Sequence, residues 1–306
     1  MSHRDPIPFE PLSRRASIGA DLLLLGVAVI WGWTFVLVKE GVSEVGPLTF
    51  LFYRFGIAFV ALALLFRRHL RDVLRSVWLR GIGIGLALFG GYWFQTWGLV
   101  YTAATKSAFI TGLSVVIVPL MGTLMLRERI SGAAWLGAGL SAVGLGFLVF
   151  GTQLGFATVN VGDALTLVCA ISFATQILLV GRYTRPSNHL PILVAQIGVV
   201  AALSGVGWVT VEGAAWPTSW TAWKGILITA VLATAVAYWL QNRFQPYSTA
   251  ARAAIIYTGE PVFAGVFGVV LLGERLTTGQ WLGAGLILAA MVLAQWPTIR
   301  RISRNA

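Results

Sequence analysis

"YWFQTWGLVYTAATKSAFI", residues 92–110, returns 146 positions later as "YWLQNRFQPYSTAARAAII", residues 238–256. The overlay continues from "LRERISGAAWLGAGL" (126–140) to "LGERLTTGQWLGAGL" (272–286). Between 92 and 140, 18 of 49 positions are identical without a gap. Chance in an Ala-, Leu- and Gly-rich chain gives roughly a third of that, and self-similarity at a fixed period is the mark of a repeated structural unit. The chain is therefore read as two related halves.

Each half is made of membrane-spanning sequence. The 306 residues are 57% hydrophobic and 11% charged, with a mean hydropathy of +0.81. A soluble domain carries about 25% charged residues. An apolar run of about 18 residues or more reads as a helix long enough to cross the hydrocarbon core. Ten such runs are expected, at 21–39, 48–66, 79–100, 106–126, 133–151, 162–181, 190–211, 222–243, 250–272 and 279–296. The first follows a polar, Pro-rich stretch, 1–20, expected to be a disordered tail. It is too long for a signal-peptide core and lacks an A-x-A site after it, so it is read as an uncleaved span. Residues 152–161 read as a linker between the halves, and 297–306 as a basic tail.

Charge fixes the direction. With the N-terminus in the cytoplasm, 17 Lys/Arg residues fall on the inner side, among them Arg67, Arg68, Arg71, Arg75, Arg182 and Arg243. The outer side receives four, Lys39, Lys106, Lys224 and Arg275, and Arg54 stays within a span. Such sorting follows the positive-inside rule, and a miscounted helix would mix the two sets. Both termini are thus expected in the cytoplasm. Each half has five spans, an odd number, so the second half enters the membrane inverted. Two inverted five-helix repeats are the plan of many secondary transporters, with the site near the midplane where the repeats meet. The fold class expected is an all-α polytopic membrane protein.

The net charge of +11 is explained by cationic loops that set topology and meet anionic lipid, not by nucleic acid. The one cysteine, Cys169, leaves no intrachain disulfide and no cysteine metal cluster. His3, His69 and His189 all fall in tails or loops, so no catalytic or metal-ligating cluster forms within the membrane. No Walker sequence occurs. These observations argue against an enzyme, a resident cofactor or metal, and ATP drive within this chain. They leave a small-molecule cargo and the bilayer as partners, with proton coupling and a channel-like facilitator both open. Monomer and homodimer are equally compatible with the sequence.

Several motifs carry a family resemblance. They are "AVIWGWTFVLVKEGV" in the first span, "FLFYRFGIAF" in the second, "TKSAFITGLSVVIVPL" in the fourth and "EPVFAGVFGVVLLGERLTTGQWLGAGLILAAMVL" near the end. Over about residues 22–296 the chain resembles the EamA-type members of the drug/metabolite transporter superfamily. The resemblance implies ten helices in two inverted repeats, with a central cavity lined mainly by spans 1, 3, 4, 6, 8 and 9. It also implies export of amino acids or other small metabolites across the bacterial inner membrane.

The candidate site residues are the polar and aromatic ones at these span centres. Glu260 lies mid-span, where an ionised group costs at least ~2.5–3.5 kcal/mol. It therefore reads either as a cavity group that binds a cargo amine or carries a proton, or as an acid satisfied by neighbouring helices. The resemblance makes Glu-Pro a family-wide feature, which favours the structural role. Pro261, and Pro119 in the fourth span, are expected to kink their helices and free carbonyls. Arg54 pairs with Glu260, snorkels outward, or binds a cargo carboxylate. The repeated Tyr-Trp-x-Gln puts Tyr92 and Gln95 on one helix face, and Tyr238 and Gln241 on its counterpart. With Trp31 and Tyr257 they are expected to wall the cavity. Lys106 and Arg252, repeat equivalents, read as membrane anchors or gates.

Overall fold

The computed structural model describes residues 14–98, 101–102, 104–150, 160–272 and 275–303, and these contain helices and no strand. The helices are α1 (Arg14–Glu44), α2 (Pro47–Leu65), α3 (Arg75–Gly98), α4 (Ala104–Gly112), α5 (Ser114–Leu126), α6 (Gly132–Phe150) and α7 (Val161–Tyr183). They continue with α8 (His189–Thr210), α9 (Trp220–Ile228), α10 (Ala237–Phe244), α11 (Ala250–Tyr257), α12 (Gly259–Leu272) and α13 (Thr278–Ser303). A π-helical stretch, Thr229–Val236, joins α9 to α10. Among the described residues nine segments, from Ser17–Thr34 to Ala250–Val270, are long and apolar enough to cross a membrane. A shorter apolar helix, Thr278–Ala294, follows them.

Several boundaries differ from the sequence reading. Helix α1 begins at Arg14, so residues 14–20 belong to the first helix and not to a tail; residues 1–13 lie outside the described residues. Helix α13 runs on to Ser303, through most of the expected basic tail. Of the expected linker, only Asn160 and Val161 are described. Asn160 caps α7: its Oδ1 accepts from the Asp163 amide at 3.0 Å, and Asp163 Oδ2 accepts from the Asn160 amide at 2.8 Å. This reciprocal box satisfies two otherwise orphaned donors.

The two runs with an expected kink are each interrupted at one residue, which keeps right-handed helical dihedrals. The run 250–272 divides at Thr258 into α11 and α12. Pro261 has no amide to donate to Tyr257, and its ring crowds that carbonyl. The run 106–126 divides at Leu113 into α4 and α5, six residues before Pro119, which lies inside α5. The two breaks fall within one residue of each other under the 146-residue offset.

The packing obeys the same offset. Helix α3 packs on α7 as the Trp220–Tyr247 segment packs on α1. It packs on α8 as that segment packs on α2. Helices α4 and α5 lie on α7 as α11 and α12 lie on α1, while α2·α8 and α6·α13 are each their own counterpart. The surface is greasy, with Leu64, Leu124 and Val270 exposed, and the interior holds Arg54, Gln176, Gln196, Gln241, Asn242 and Gln245. That inversion suits a lipid solvent, where polar side chains must turn inward. Small residues bring the helices close: Gly144 and Gly283 bring the α6 and α13 backbones into direct contact.

Candidate functional site

Trp31, halfway along α1, is the hub of the interior. Its ring lies 5.5 Å from that of Tyr238 and 5.5 Å from that of Tyr257, tilted against both. Its Nε1–H donates to the Ala233 carbonyl at 2.9 Å. Ala233 belongs to the π-helical stretch, whose wider turn alters the backbone pairing; such turns are frequent at functional sites. Trp31 thus joins two packed cores, one around α7, α11 and Tyr257, the other around α2, α8 and Tyr238.

Tyr92 and Tyr238 meet directly, hydroxyl to hydroxyl at 3.0 Å. Tyr92 also packs edge-on against Phe55 and Phe173, with centroids 5.1 and 5.4 Å away. Over this wall lies Arg54. Its guanidinium carbon stands 5.2 Å from the Phe55 ring centre and 5.5 Å from that of Tyr92. Its Nε–H donates to Thr234 Oγ1, again on the π-helical stretch, at 2.8 Å. Among the described residues its two terminal amino groups make no hydrogen bond, yet they keep some accessible surface. Arg54 as a whole is only 4% exposed.

Glu260 stands in the first turn of α12, where its charge complements the helix N-terminus. It is half-buried, and among the described residues its carboxylate makes no hydrogen bond or ion pair. Arg54 and Tyr238 lie within electrostatic reach of it. The direct Arg54–Glu260 pair considered from the sequence is not formed. Gly32 of α1 passes against this turn: a Cβ there would stand 2.7 Å from the Glu260 carbonyl oxygen.

One end of the bundle holds a buried polar network. Gln241 is buried, and does not face an open wall as the repeated motif had suggested. It exchanges amide hydrogen bonds with Gln176, whose Nε2 also donates to Gln196 Oε1 at 3.3 Å. Tyr257 donates to Gln245 Oε1 at 3.1 Å, and Gln245 Nε2 donates to the Ile177 carbonyl at 2.6 Å. Nearby, Arg252 pairs with the buried Asp21 at 2.9 Å. Arg252 is thus neither a lone anchor nor exposed. This end carries a basic rim, in which burial and the Arg80 and Arg182 charges push Arg185 below the usual guanidinium value. Trp31, Tyr92, Gln95 and Glu260 all keep accessible surface. The Lys106 side chain lies outside the described residues.

The sequence reading missed Thr234, Gln176, Gln196, Gln245 and Asp21. Gln176 and Gln196 stand inside apolar runs, which is a usable signal; Gln245, in "QNRFQPYS" (241–248), does not. Nothing in "TAVLATAV" (229–236) betrays a π-helix.

Comparison with known proteins fits this architecture. The model of the EamA-like transporter family matches twice, over residues 18–150 and 160–296. An uncharacterized transporter of Archaeoglobus fulgidus is 37% identical over 276 residues, covering 90% of this chain and 85% of its own length. A probable amino-acid metabolite efflux pump of Escherichia coli K12 is 27% identical, covering 89% and 93%. A solved crystal structure with 19% identity superposes with a TM-score of 0.79 over 92% of this chain and 98% of its own, which establishes a shared fold. With its double family match and its apolar helices, the chain is a multi-pass membrane protein, a transporter and not an enzyme, and it belongs to the EamA-like transporter family.

Proposed function

We propose that the chain is a secondary transporter of small metabolites, amino acids or related compounds, that works by alternating access as an exporter. Ten spans form two inverted five-helix repeats, residues 21–151 and 162–296, in the bacterial inner membrane with both termini in the cytoplasm. The observation that carries the reading is the Tyr92–Tyr238 contact. Equivalent residues of two repeats touch only beside the axis that relates them. The hydroxyl pair therefore marks the line where the repeats meet, which is where such proteins hold cargo.

Two further features support it. The α4/α5 and α11/α12 breaks put half-helix ends at related places, as in transporters built from inverted repeats. The polar network of Gln176, Gln196, Gln241, Gln245 and Tyr257 closes the end that charge assigns to the cytoplasm, while Trp31, Tyr92, Gln95 and Glu260 stay partly accessible beyond it. The structure is then the outward-facing state, and the network is the inner gate. Export as the direction follows the Escherichia coli relative's description as an efflux pump.

The test is transport by the full chain in proteoliposomes, with a panel of radiolabelled amino acids. Accumulation driven by an imposed pH gradient supports proton-coupled transport. Equilibration that ignores the gradient identifies a passive facilitator of the same fold. No movement of any cargo overturns the transport reading.

A further inference from the structure

We propose that Arg54 and Glu260 form a two-point anchor for an α-amino acid zwitterion, Arg54 taking the carboxylate and Glu260 the ammonium. The inference rests on the transport reading above and gives the site its substrate chemistry.

Arg54 carries the argument. A buried guanidinium normally has most of its five donors satisfied, because an unpaired buried charge costs several kcal/mol. Here Thr234 takes the Nε–H, and the rings of Phe55 and Tyr92 take the face. Both terminal amino groups remain unbonded and accessible. Thr234 and the rings hold the guanidinium in one orientation while leaving its outer edge empty. Two parallel N–H donors in a fixed plane are the complement of a carboxylate.

Glu260 is the second, independent observation. Among the described residues it has no hydrogen-bond or ion-pair partner; it is half-buried and not joined to Arg54. The two charges flank one aromatic wall: the Arg54 guanidinium stands over Tyr92, whose hydroxyl meets that of Tyr238, and Gly32, beside Trp31, packs on the turn that carries Glu260. Unpaired with each other, they are complementary to a ligand that carries both opposite charges. A simple anion would leave Glu260 unmatched and repelled, and a simple cation would do the same to Arg54. A zwitterion satisfies both, and its side chain then meets the partly open rings of Trp31 and Tyr92. No covalent step is involved.

The test uses three ligands on the full chain in lipid nanodiscs, with binding read by isothermal titration calorimetry. Leucine is the zwitterion, 4-methylpentanoate lacks its ammonium, and 3-methylbutylamine lacks its carboxylate. The wild type is expected to bind leucine more tightly than either analogue. Arg54→Gln should weaken leucine and 4-methylpentanoate about 10- to 100-fold, as the loss of charge-assisted hydrogen bonds does, and bind the amine at least as tightly as the wild type does. Glu260→Gln should weaken leucine and the amine and bind 4-methylpentanoate at least as tightly as the wild type does. If Arg54→Gln does not fold, Arg54→Lys keeps the charge without the fork and should give a smaller loss on the same two ligands. A wild type that fails to bind leucine, or variants that weaken all three ligands alike or none, would overturn the anchor. Proteoliposomes that still move another cargo in that case leave the transport reading standing; its own failure is the absence of any cargo movement.

Discussion

The Tyr92 and Tyr238 hydroxyls lie 3.0 Å apart, and the two residues stand 146 positions apart, the offset that overlays the chain on itself. The pair is equivalent by sequence but not by environment. Tyr238 is 3% exposed, whereas Tyr92 keeps a partly open face. Removing the Tyr92 hydroxyl therefore strands the Tyr238 hydroxyl without a partner. Tyr92→Phe should cost about 1–3 kcal/mol of stability. Tyr238→Phe should cost less, because water reaches the hydroxyl left on Tyr92. The double variant should be no worse than Tyr92→Phe alone. Thermal unfolding in detergent, taken as a double-mutant cycle, checks the order; equal single losses that add would refute the shared bond.

Glu260 is the acid that a proton-coupled mechanism would use. Its surroundings contain Arg54 and Tyr238 within electrostatic reach. Glu260→Gln keeps the size and hydrogen-bonding capacity at the start of α12 but removes the titrating group. Gradient-driven accumulation in proteoliposomes should vanish, while exchange of cargo at equal pH persists at a reduced rate. Accumulation that continues to follow the pH gradient would rule out Glu260 as the proton carrier.

The halves were legible because self-similarity needs no structure, and the membrane class because composition alone excludes a soluble core. The charges at 54 and 260 were legible as candidates because a polytopic chain rarely puts a charge inside a span. Their relationship was not. A sequence places Arg54 and Glu260 in the membrane, but only the fold decides that Thr234 and not Glu260 takes the guanidinium Nε–H. Gln241 illustrates the same limit. The repeat correctly put Tyr238 and Gln241 on one face, yet the face points into neighbouring helices, where Gln176 meets it. The break at Leu113 had no proline beside it and was invisible. The break at Thr258 had Pro261 three residues on and was not.

The Asp21–Arg252 pair ties the start of α1 to the start of α11 at the end that holds the buried polar network. Asp21 is 1% exposed and its partner 14%. Deleting one member of a buried pair leaves the other uncompensated, at about 3–5 kcal/mol. Arg252→Met should therefore destabilise the closed state of the proposed inner gate in particular. In a Cys169→Ala background with Gln245→Cys as reporter, labelling by an impermeant maleimide in inside-out vesicles should rise several-fold on adding Arg252→Met. Labelling that stays at the level of the intact pair would mean that the contact braces the fold without latching the gate.

Two glycines on α1 separate helix propensity from close approach. Gly26 and Gly32 lie on the same helix, both inside the span. A Cβ built on Gly26 meets nothing within 4 Å, whereas one on Gly32 would stand 2.7 Å from the Glu260 carbonyl and 2.8 Å from the Ala264 amide nitrogen. Both neighbours of Gly32 are backbone, so no rotamer change relieves the clash and α12 must move as a body. Gly26→Ala should stabilise by about 0.5–1 kcal/mol, the helix preference of alanine over glycine, and leave transport intact. Gly32→Ala gains the same preference but forces α1 and α12 apart, carrying Glu260 away from Arg54. Overpacking of this kind costs about 1–3 kcal/mol. The expected result is a protein that still folds, with lower thermal stability, and with leucine binding weakened as strongly as by Glu260→Gln. Equal behaviour of the two alanine variants would show that the α1·α12 contact does not set the position of Glu260.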